Sequence, residues 1–389
     1  MPWNVSDVVE QRSRFLDDYD SDEYSMAELC RRYEISRQTG YKLLKRREAE
    51  DENGLLGRSR APHRHPNQTP RWQEDIIVEL RREHPRWGPK KLLWRLERDY
   101  PAIGWPVAST IGDLLHREGL TIPRRKRRRT PPYTDPFVAA QRPNLVWCMD
   151  FKGHFRTSDG ERIDPFTLND AYSRYLLRCQ AVDHSDTEQV LAVLQAAFRE
   201  YGLPEAIRSD NGPPFATRAV AGLSRLSVYL IKLGIVPERI QPGHPEQNGR
   251  LERLHRTLKA ETASPPAATR RAQQRAFDRF RCEYNQDRPH EALGQCTPAS
   301  CYSASPRAYP ARVPEPEYDS SMKVRRIRGQ FKWKDRKVFL TESLAGEAVG
   351  LEQIDDRYYT VYFAHVAIAT FDAHRLRTQP LATPKINLS

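Results

Sequence analysis

Three acidic residues of this chain are hard to explain by folding alone: Asp150, Asp210 and Glu252. Asp150 closes the apolar run Leu145-Val146-Trp147-Cys148-Met149. A carboxylate in such company costs free energy unless it is paired or bound to a metal. Asp210 opens Asp-Asn-Gly after Ile207-Arg208-Ser209, and Glu252 lies just inside a helix that begins after Asn248-Gly249. A strand-borne Asp, a second strand-end Asp and a helix-borne Glu can converge on divalent metal, and that chemistry breaks and rejoins phosphodiester bonds. Taken singly, each has a plainer reading: a salt-bridged strand-end Asp, a turn-forming Asp and a solvated helix Glu. The combination and its order carry the metal reading.

Regular elements must hold these acids. Leu145–Phe151, Arg162–Leu168 and Tyr175–Val182 read as strands, with Asn169 to Arg174 as the turn between the last two. Ser185-Asp186-Thr187-Glu188 reads as a capping box. It opens a helix with Val190, Leu191, Leu194, Ala197, Phe198 and Tyr201 inside, and Gly202 stops it. Ala206–Ser209 is a fourth strand. Three antiparallel strands, a helix, a strand and further helices are the order of an α/β RNase H-like domain. Near Glu252, Leu251, Leu254 and Leu258 form a buried stripe, and Glu252, His255, Arg256 and Lys259 share the opposite face. An acid beside cations on one face suits a metal ligand next to a phosphate backbone; a surface salt-bridge pattern is the alternative.

Upstream, residues 5–48 read as three helices. Ser25 and Glu28 form a capping box. Ser36 caps a basic helix with Tyr41, Leu43 and Leu44 inside and Arg37, Gln38, Lys42, Lys45 and Arg46 outside. Two short helices joined by a tight turn make a helix-turn-helix, although other three-helix units share the pattern. Residues 71–120 repeat the theme, with Pro89 in the first turn of their middle helix. Arg124, Arg125, Lys126, Arg127, Arg128 and Arg129 are six consecutive cations that repel one another and track phosphates better than they pack. Downstream, Ala272–Tyr284 is helical and residues 306–316 are a Pro-rich linker. Short strands between Lys323 and Ala373 predict a small β-barrel.

Composition agrees with a polyanionic partner: 389 residues, net charge +12 and a pI of about 9.4. Six cysteines show no CxxC pair and no zinc-like spacing, so free thiols in a reducing compartment are expected. The first residues lack an apolar signal core and no run approaches membrane-spanning length, so no membrane partner and a cytoplasmic location are expected.

Three segments together carry a resemblance: Trp147-Cys148-Met149-Asp150-Phe151-Lys152, Ser209-Asp210-Asn211-Gly212, and His244-Pro245-Glu246-Gln247-Asn248-Gly249-Arg250-Leu251-Glu252 running on to Lys259. They resemble the DDE catalytic core of bacterial insertion-sequence transposases and retroviral integrases. The run Tyr284 to Leu293 with Thr297-Pro298 resembles the segment after that core in bacterial members. The resemblance covers roughly residues 20–300. It implies a multidomain chain with an RNase H-like integrase core and Asp150, Asp210 and Glu252 as catalytic acids. It further implies two divalent ions per site, Mg²⁺ or Mn²⁺, with Asp150 bridging both, Asp210 holding one and Glu252 the other. The expected partners are double-stranded DNA, as terminal inverted repeats and as target, and further copies of the chain in a dimer or higher multimer. A nucleoid-associated bacterial protein follows. Arg256 and Lys259 match positions that hold DNA near the active site, and the helix over 37–46 would read the element end. The family often leaves 35 residues between the second Asp and the Glu, which would select Glu246; motif matching selects Glu252, because Glu246 sits in a Pro-flanked loop.

The domain reading is then 1–60 and 70–122 for two all-α helix-turn-helix units and 123–142 for a basic linker. It continues with 143–262 for the catalytic core, 263–316 for a helical extension and linker, and 320–375 for the barrel. A non-catalytic DNA-binding regulator and a purely hydrolytic RNase H-like nuclease are the competing functions.

Overall fold

The computed structural model describes residues 8–50, 55–56, 68–121, 140–183, 186–210, 212, 215, 223–240 and 249–386. The chain divides into two compact units, Met1–Pro70 and Arg71–Ser389. Among the described residues no helix is long and apolar enough to cross a membrane.

The first unit is a three-helix cluster, α1 Val8–Asp20, α2 Met26–Arg32 and α3 Arg37–Glu50. Its core is Phe15, Leu16, Leu29, Cys30, Leu43 and Leu55. The Ser25–Glu28 capping box forms as expected. Ser36 Oγ accepts from Thr39 N at 3.2 Å and starts α3. One expected core residue is outside: Tyr41 is exposed. The helix meets its neighbours through Gly40, where a Cβ would stand 2.9 Å from Met26 Sδ and 3.1 Å from Phe15. That close approach rolls Tyr41 outward.

The second unit opens with α4 Arg71–Glu83, α5 Pro89–Asp99 and α6 Ala108–Arg117, packed around Ile77, Trp87, Leu92, Leu96 and Ile111. Pro89 takes the first position of α5, where its missing N–H has no helical partner to lose.

The central sheet contains β1 Val146–Phe151, β2 Phe155–Arg156, β3 Arg162–Asp170, β4 Leu176–Val182, β5 Ala206–Ser209 and β6 Val236–Arg239. β1 pairs antiparallel with β3, β3 with β4, and β5 runs parallel to both β1 and β6. Helices α7 Thr187–Tyr201 and α8 Arg225–Lys232 cover one face through Val190, Leu194, Phe198, Leu226 and Leu230, against Trp147 and Met149. Helices α9 Gly249–Thr262 and α10 Arg270–Gln286 cover the other through Leu251, Leu254, Leu258, Phe277 and Phe280, against Val146 and Cys148. The cap of α7 is Asp186, whose carboxylate accepts from Gln189 N, rather than Ser185, which lies outside the described residues.

The Pro-rich stretch after the core is pinned along its length. Tyr309 OH shares a hydrogen bond of 2.7 Å with Tyr229 OH. Arg307 donates to the carbonyls of Pro204 and Leu233. Gly202 (φ +77°) lets the chain pass under it: a Cβ there would lie 2.7 Å from the Ser305 and Arg307 carbonyl oxygens.

The C-terminal part consists of β7 Lys323–Arg326, β8 Gln330–Trp333, β9 Arg336–Phe339, β10 Ala348–Gln353, β11 Tyr358–Phe363, β12 Val366–Asp372 and β13 Arg377–Ile386. Among the described residues the closed barrel expected here does not form. The described strands make an open five-stranded sheet, β13-β12-β11-β10-β7, and a separate β8-β9 hairpin. The two pack face to face through Phe331, Trp333, Val338 and Phe371, so the core is sealed by packing rather than by a continuous hydrogen-bonded wall.

Candidate active site

Strand alternation decides where Asp150 points. Trp147 and Met149 belong to the core under α7 and α8, Val146 and Cys148 to the core under α9 and α10. Asp150, two residues beyond Cys148, therefore faces α9. The parallel register pairs Cys148 with Arg208. Two residues further along both strands, Asp210 follows β5 beside Asp150. The Leu251-Leu254-Leu258 stripe seats α9 on the same face and leaves Glu252 exposed at its first turn.

The three acids act on one another through their charges. Burial pushes the Asp150 carboxyl up to about 7. The Asp210 charge adds to this and Glu252 adds less, against donation from Phe151 N and the Lys152 charge. Asp150 Oδ1 accepts from Phe151 N at 2.8 Å. Asp170, another strand-end Asp, shows the contrasting structural role. Its carboxylate accepts from Asn144 N at 2.8 Å, Ser173 N at 2.7 Å and Ser173 Oγ at 2.6 Å. Those donors compensate its burial within the turn. Asp210 does both jobs: Oδ1 accepts from Gly212 N at 3.1 Å in the turn, and its charge acts on Asp150.

Two further residues complete the surroundings of Asp150. Thr167 lies opposite it in the β1–β3 register. Its hydroxyl donates to the Asp150 main-chain oxygen at 3.3 Å and lies 2.7 Å from His255 Nε2. His255 is 6% exposed, so it leaves the outward face expected for it. It stands four residues after Leu251 and next to Leu254, inside the apolar stripe. His255 Nδ1 is 3.9 Å from Asp150 Oδ2. Burial, helped by the Lys152 charge, lowers the imidazole to about 4. The ring is therefore neutral, and this contact is packing rather than an ion pair.

Lys152 was not anticipated, although alternation places it on the side of Asp150. Arg256 and Lys259 are exposed on α9. Arg37, Gln38, Lys42 and Lys45 are all exposed on α3, where their spacing puts them on one side of the helix. Arg124 to Arg129, and Glu246, lie outside the described residues.

The donor set suits a hard divalent cation: three carboxylates whose mutual repulsion is registered at Asp150. Among the described residues, however, no three His, Cys, Asp or Glu side chains are drawn together tightly enough to hold a metal ion. Ion binding would have to draw the carboxylates inward.

Comparison with known proteins agrees with this architecture. A model described as integrase core domain matches residues 140–245, and a second of the same description matches 233–298. A homeodomain-like domain model matches residues 39–115. The 39.2 kDa protein of insertion element IS476 from Xanthomonas euvesicatoria is 32% identical over 251 residues, 63% of this chain and 69% of the relative. The 31.7 kDa protein of insertion element IS407 from Burkholderia multivorans is 30% identical over 235 residues, 60% of this chain and 80% of the relative. Among solved structures, the catalytic core domain of HTLV-2 integrase in complex with magnesium is 16% identical with a TM-score of 0.34; the match covers 42% of this chain and 99% of that one. The chain belongs to the family of insertion-sequence transposases with an integrase-like core. Its general role is DNA transposition, and its core is of the polynucleotidyl-transferase type.

Proposed function

We propose that the chain binds the terminal inverted repeats of its element, cuts the DNA at those ends and joins them to target DNA. The observation that carries this reading is that β1, the end of β5 and the first turn of α9 bring Asp150, Asp210 and Glu252 to one side of the sheet, around a half-buried Asp150. A cluster of three carboxylates partly withdrawn from water is poised to receive cations. The HTLV-2 core is described in complex with magnesium, and Mg²⁺ or Mn²⁺, two ions per site, is the proposed complement here. Asp150, Asp210 and Glu252 would hold them. When bound, such ions activate an attacking oxygen and stabilise the charge on a leaving one.

The chain's own residues do the rest. Cys148, Val146 and the α9 leucines keep one side of Asp150 dry. Thr167 and His255 fix its backbone and bound the space beside its carboxylate. In the first reaction water attacks a phosphodiester at the element end; one P–O bond forms, one breaks and a 3′-hydroxyl is released. In the second, that hydroxyl attacks target DNA, again with one P–O bond made and one broken, so no external energy source is needed. Arg37, Gln38, Lys42 and Lys45 would meet the element end. Arg256 and Lys259 would meet DNA near the acids, and residues 124–129 would meet phosphates without regard to sequence. Assembly as a dimer or larger multimer would bring two ends together.

The test is strand transfer with purified protein, pre-cut DNA from its own element's ends and a supercoiled plasmid, in Mg²⁺ or EDTA. Metal-dependent joined product, lost in Asp150→Asn, supports the proposal. Nicking without joining favours a hydrolytic nuclease, and binding with neither favours a regulator.

A further inference from the structure

A narrow cleft opens beside the acidic centre, between the end of β1 and the second half of α9. Lys152 and Lys259 both line it, over a floor that includes Phe155, Pro165, Leu258 and Phe277. Lys152 is placed by the ladder: its N–H donates to Pro165 O at 2.9 Å, continuing the β1–β3 pairing past Phe151. Lys259 is placed by the helix, seven residues and about two turns beyond Glu252. Each lysine is thus carried into the cleft by an element that also carries a catalytic acid.

The two side chains bound the same small space. Among the described residues, neither forms an ion pair within 4.0 Å with a carboxylate. Two like charges sharing a partly apolar cleft are an unfavourable arrangement that an incoming anion relieves. The space is about 40 Å³, far below the roughly 300–1,000 Å³ of pockets that enclose small molecules. It is therefore suited to an edge of a larger polymer, not to a free metabolite or a whole base. Three carboxylates next door repel a phosphodiester strand, and a cation pair at the rim opposes that repulsion where the strand must enter.

We infer that Lys152 and Lys259 form a two-lysine clamp on a backbone phosphate of the DNA strand lying along the active site, Lys152 being a DNA-positioning residue. This deepens the proposed transposase reading and rests on it. The clamp acts on binding and placement; it takes no proton from the reaction.

The test is a scan of pre-cut element-end duplexes, each with one phosphate near the reactive 3′ end replaced by a neutral methylphosphonate. Binding is read by fluorescence anisotropy in EDTA for wild type, Lys152→Gln and Lys152→Arg. Wild type should lose affinity most at one or two adjacent phosphates. Lys152→Gln should bind unmodified DNA about tenfold more weakly and be indifferent to neutralisation at those same positions. Lys152→Arg should restore both the affinity and the sensitive position. In strand transfer, Lys152→Gln should raise KM with little change in kcat. The inference is overturned if Lys152→Gln binds as wild type does, or if its loss adds equally to every neutralised phosphate. Circular dichroism of both variants separates misfolding from lost contact: a folded Lys152→Arg that fails to rescue also overturns it. Wild type that shows the phosphate pattern yet joins no DNA would refute the proposed strand-transfer activity and leave the clamp standing.

Discussion

The Thr167 hydroxyl lies 2.7 Å from His255 Nε2 and 3.3 Å from the main-chain oxygen of Asp150, joining β3, α9 and the first of the three proposed acids in one hydrogen-bonded chain. Thr167 has one proton; donated to the Asp150 carbonyl, it leaves Nε2–H to donate to the Thr167 oxygen. Such supporting contacts typically carry ~10–100-fold in metal affinity or activity. His255→Ala should therefore lower strand transfer by roughly that factor while end binding persists. His255→Asn, which can still donate to Thr167, should recover much of it. Equal activity of His255→Ala and wild type in a single-turnover assay would remove His255 from the site.

The third acid is a choice between two glutamates. Glu252 sits in the first turn of α9, and its charge reaches Asp150. Glu252→Ala should abolish joining and leave end binding intact, whereas Glu246→Ala should retain most activity. The reverse result would reassign the site.

Metal binding should show itself without any reaction. The acids repel one another in the cation-free protein, so an ion that binds the folded state stabilises it by mass action, about 2.7 kcal/mol at a hundredfold excess over Kd. Thermal melts in EDTA and in Mg²⁺ should give a higher Tm with Mg²⁺ for wild type. The increment should be much smaller for Asp150→Asn. Identical increments would place Mg²⁺ elsewhere.

Lys91 on α5 offers a pH test of how the second helical unit meets the core. Burial, aided by Arg288, lowers it to about 7, against the pull of Glu261 and Glu291. A lysine with a lowered folded value costs stability when charged. The cost is absent above its unfolded value near 10.5, grows as pH falls, and is complete below about 7. Lys91→Met should therefore stabilise the protein near pH 6, by on the order of 1–3 kcal/mol. The gain should shrink as pH rises toward 10. Denaturant melts at several pH values check this, and a gain independent of pH would contradict it.

DNA recognition should separate into two kinds of contact. Gln38→Ala on the exposed face of α3 should reduce discrimination between element-end and random DNA by ~1–3 kcal/mol. Replacing residues 124–129 by neutral side chains should weaken binding to all sequences alike and flatten the salt dependence. Competition binding at several salt concentrations distinguishes them; selective loss on end DNA in the second variant would refute the assignment.

Much of the fold was legible because the signals are local. The Ser25–Glu28 cap, Pro89 at the start of α5 and the β1 apolar run each state their structure within a few residues. Strands without such signals escaped. β6 holds Pro237, Glu238 and Arg239, which look like loop; it forms because β5 supplies a parallel partner, with Arg208 bonded to Glu238 at 2.7 Å. β13 has no alternating apolar pattern at its start and is ordered by its pairing to β12. Whether the last strands close into a barrel is likewise a question of long-range pairing, which no strand states alone.

The sequence by itself determined where the three proposed acids stand, their order and the elements that carry them, because residue type and a period of two or 3.6 are properties of short segments. Only the tertiary structure decided that His255 turns inward to Thr167, that Tyr41 turns outward over Gly40, and that Lys152 and Lys259 share a cleft. Those facts depend on how closely one element approaches another, and that distance is set by packing between residues far apart in the chain.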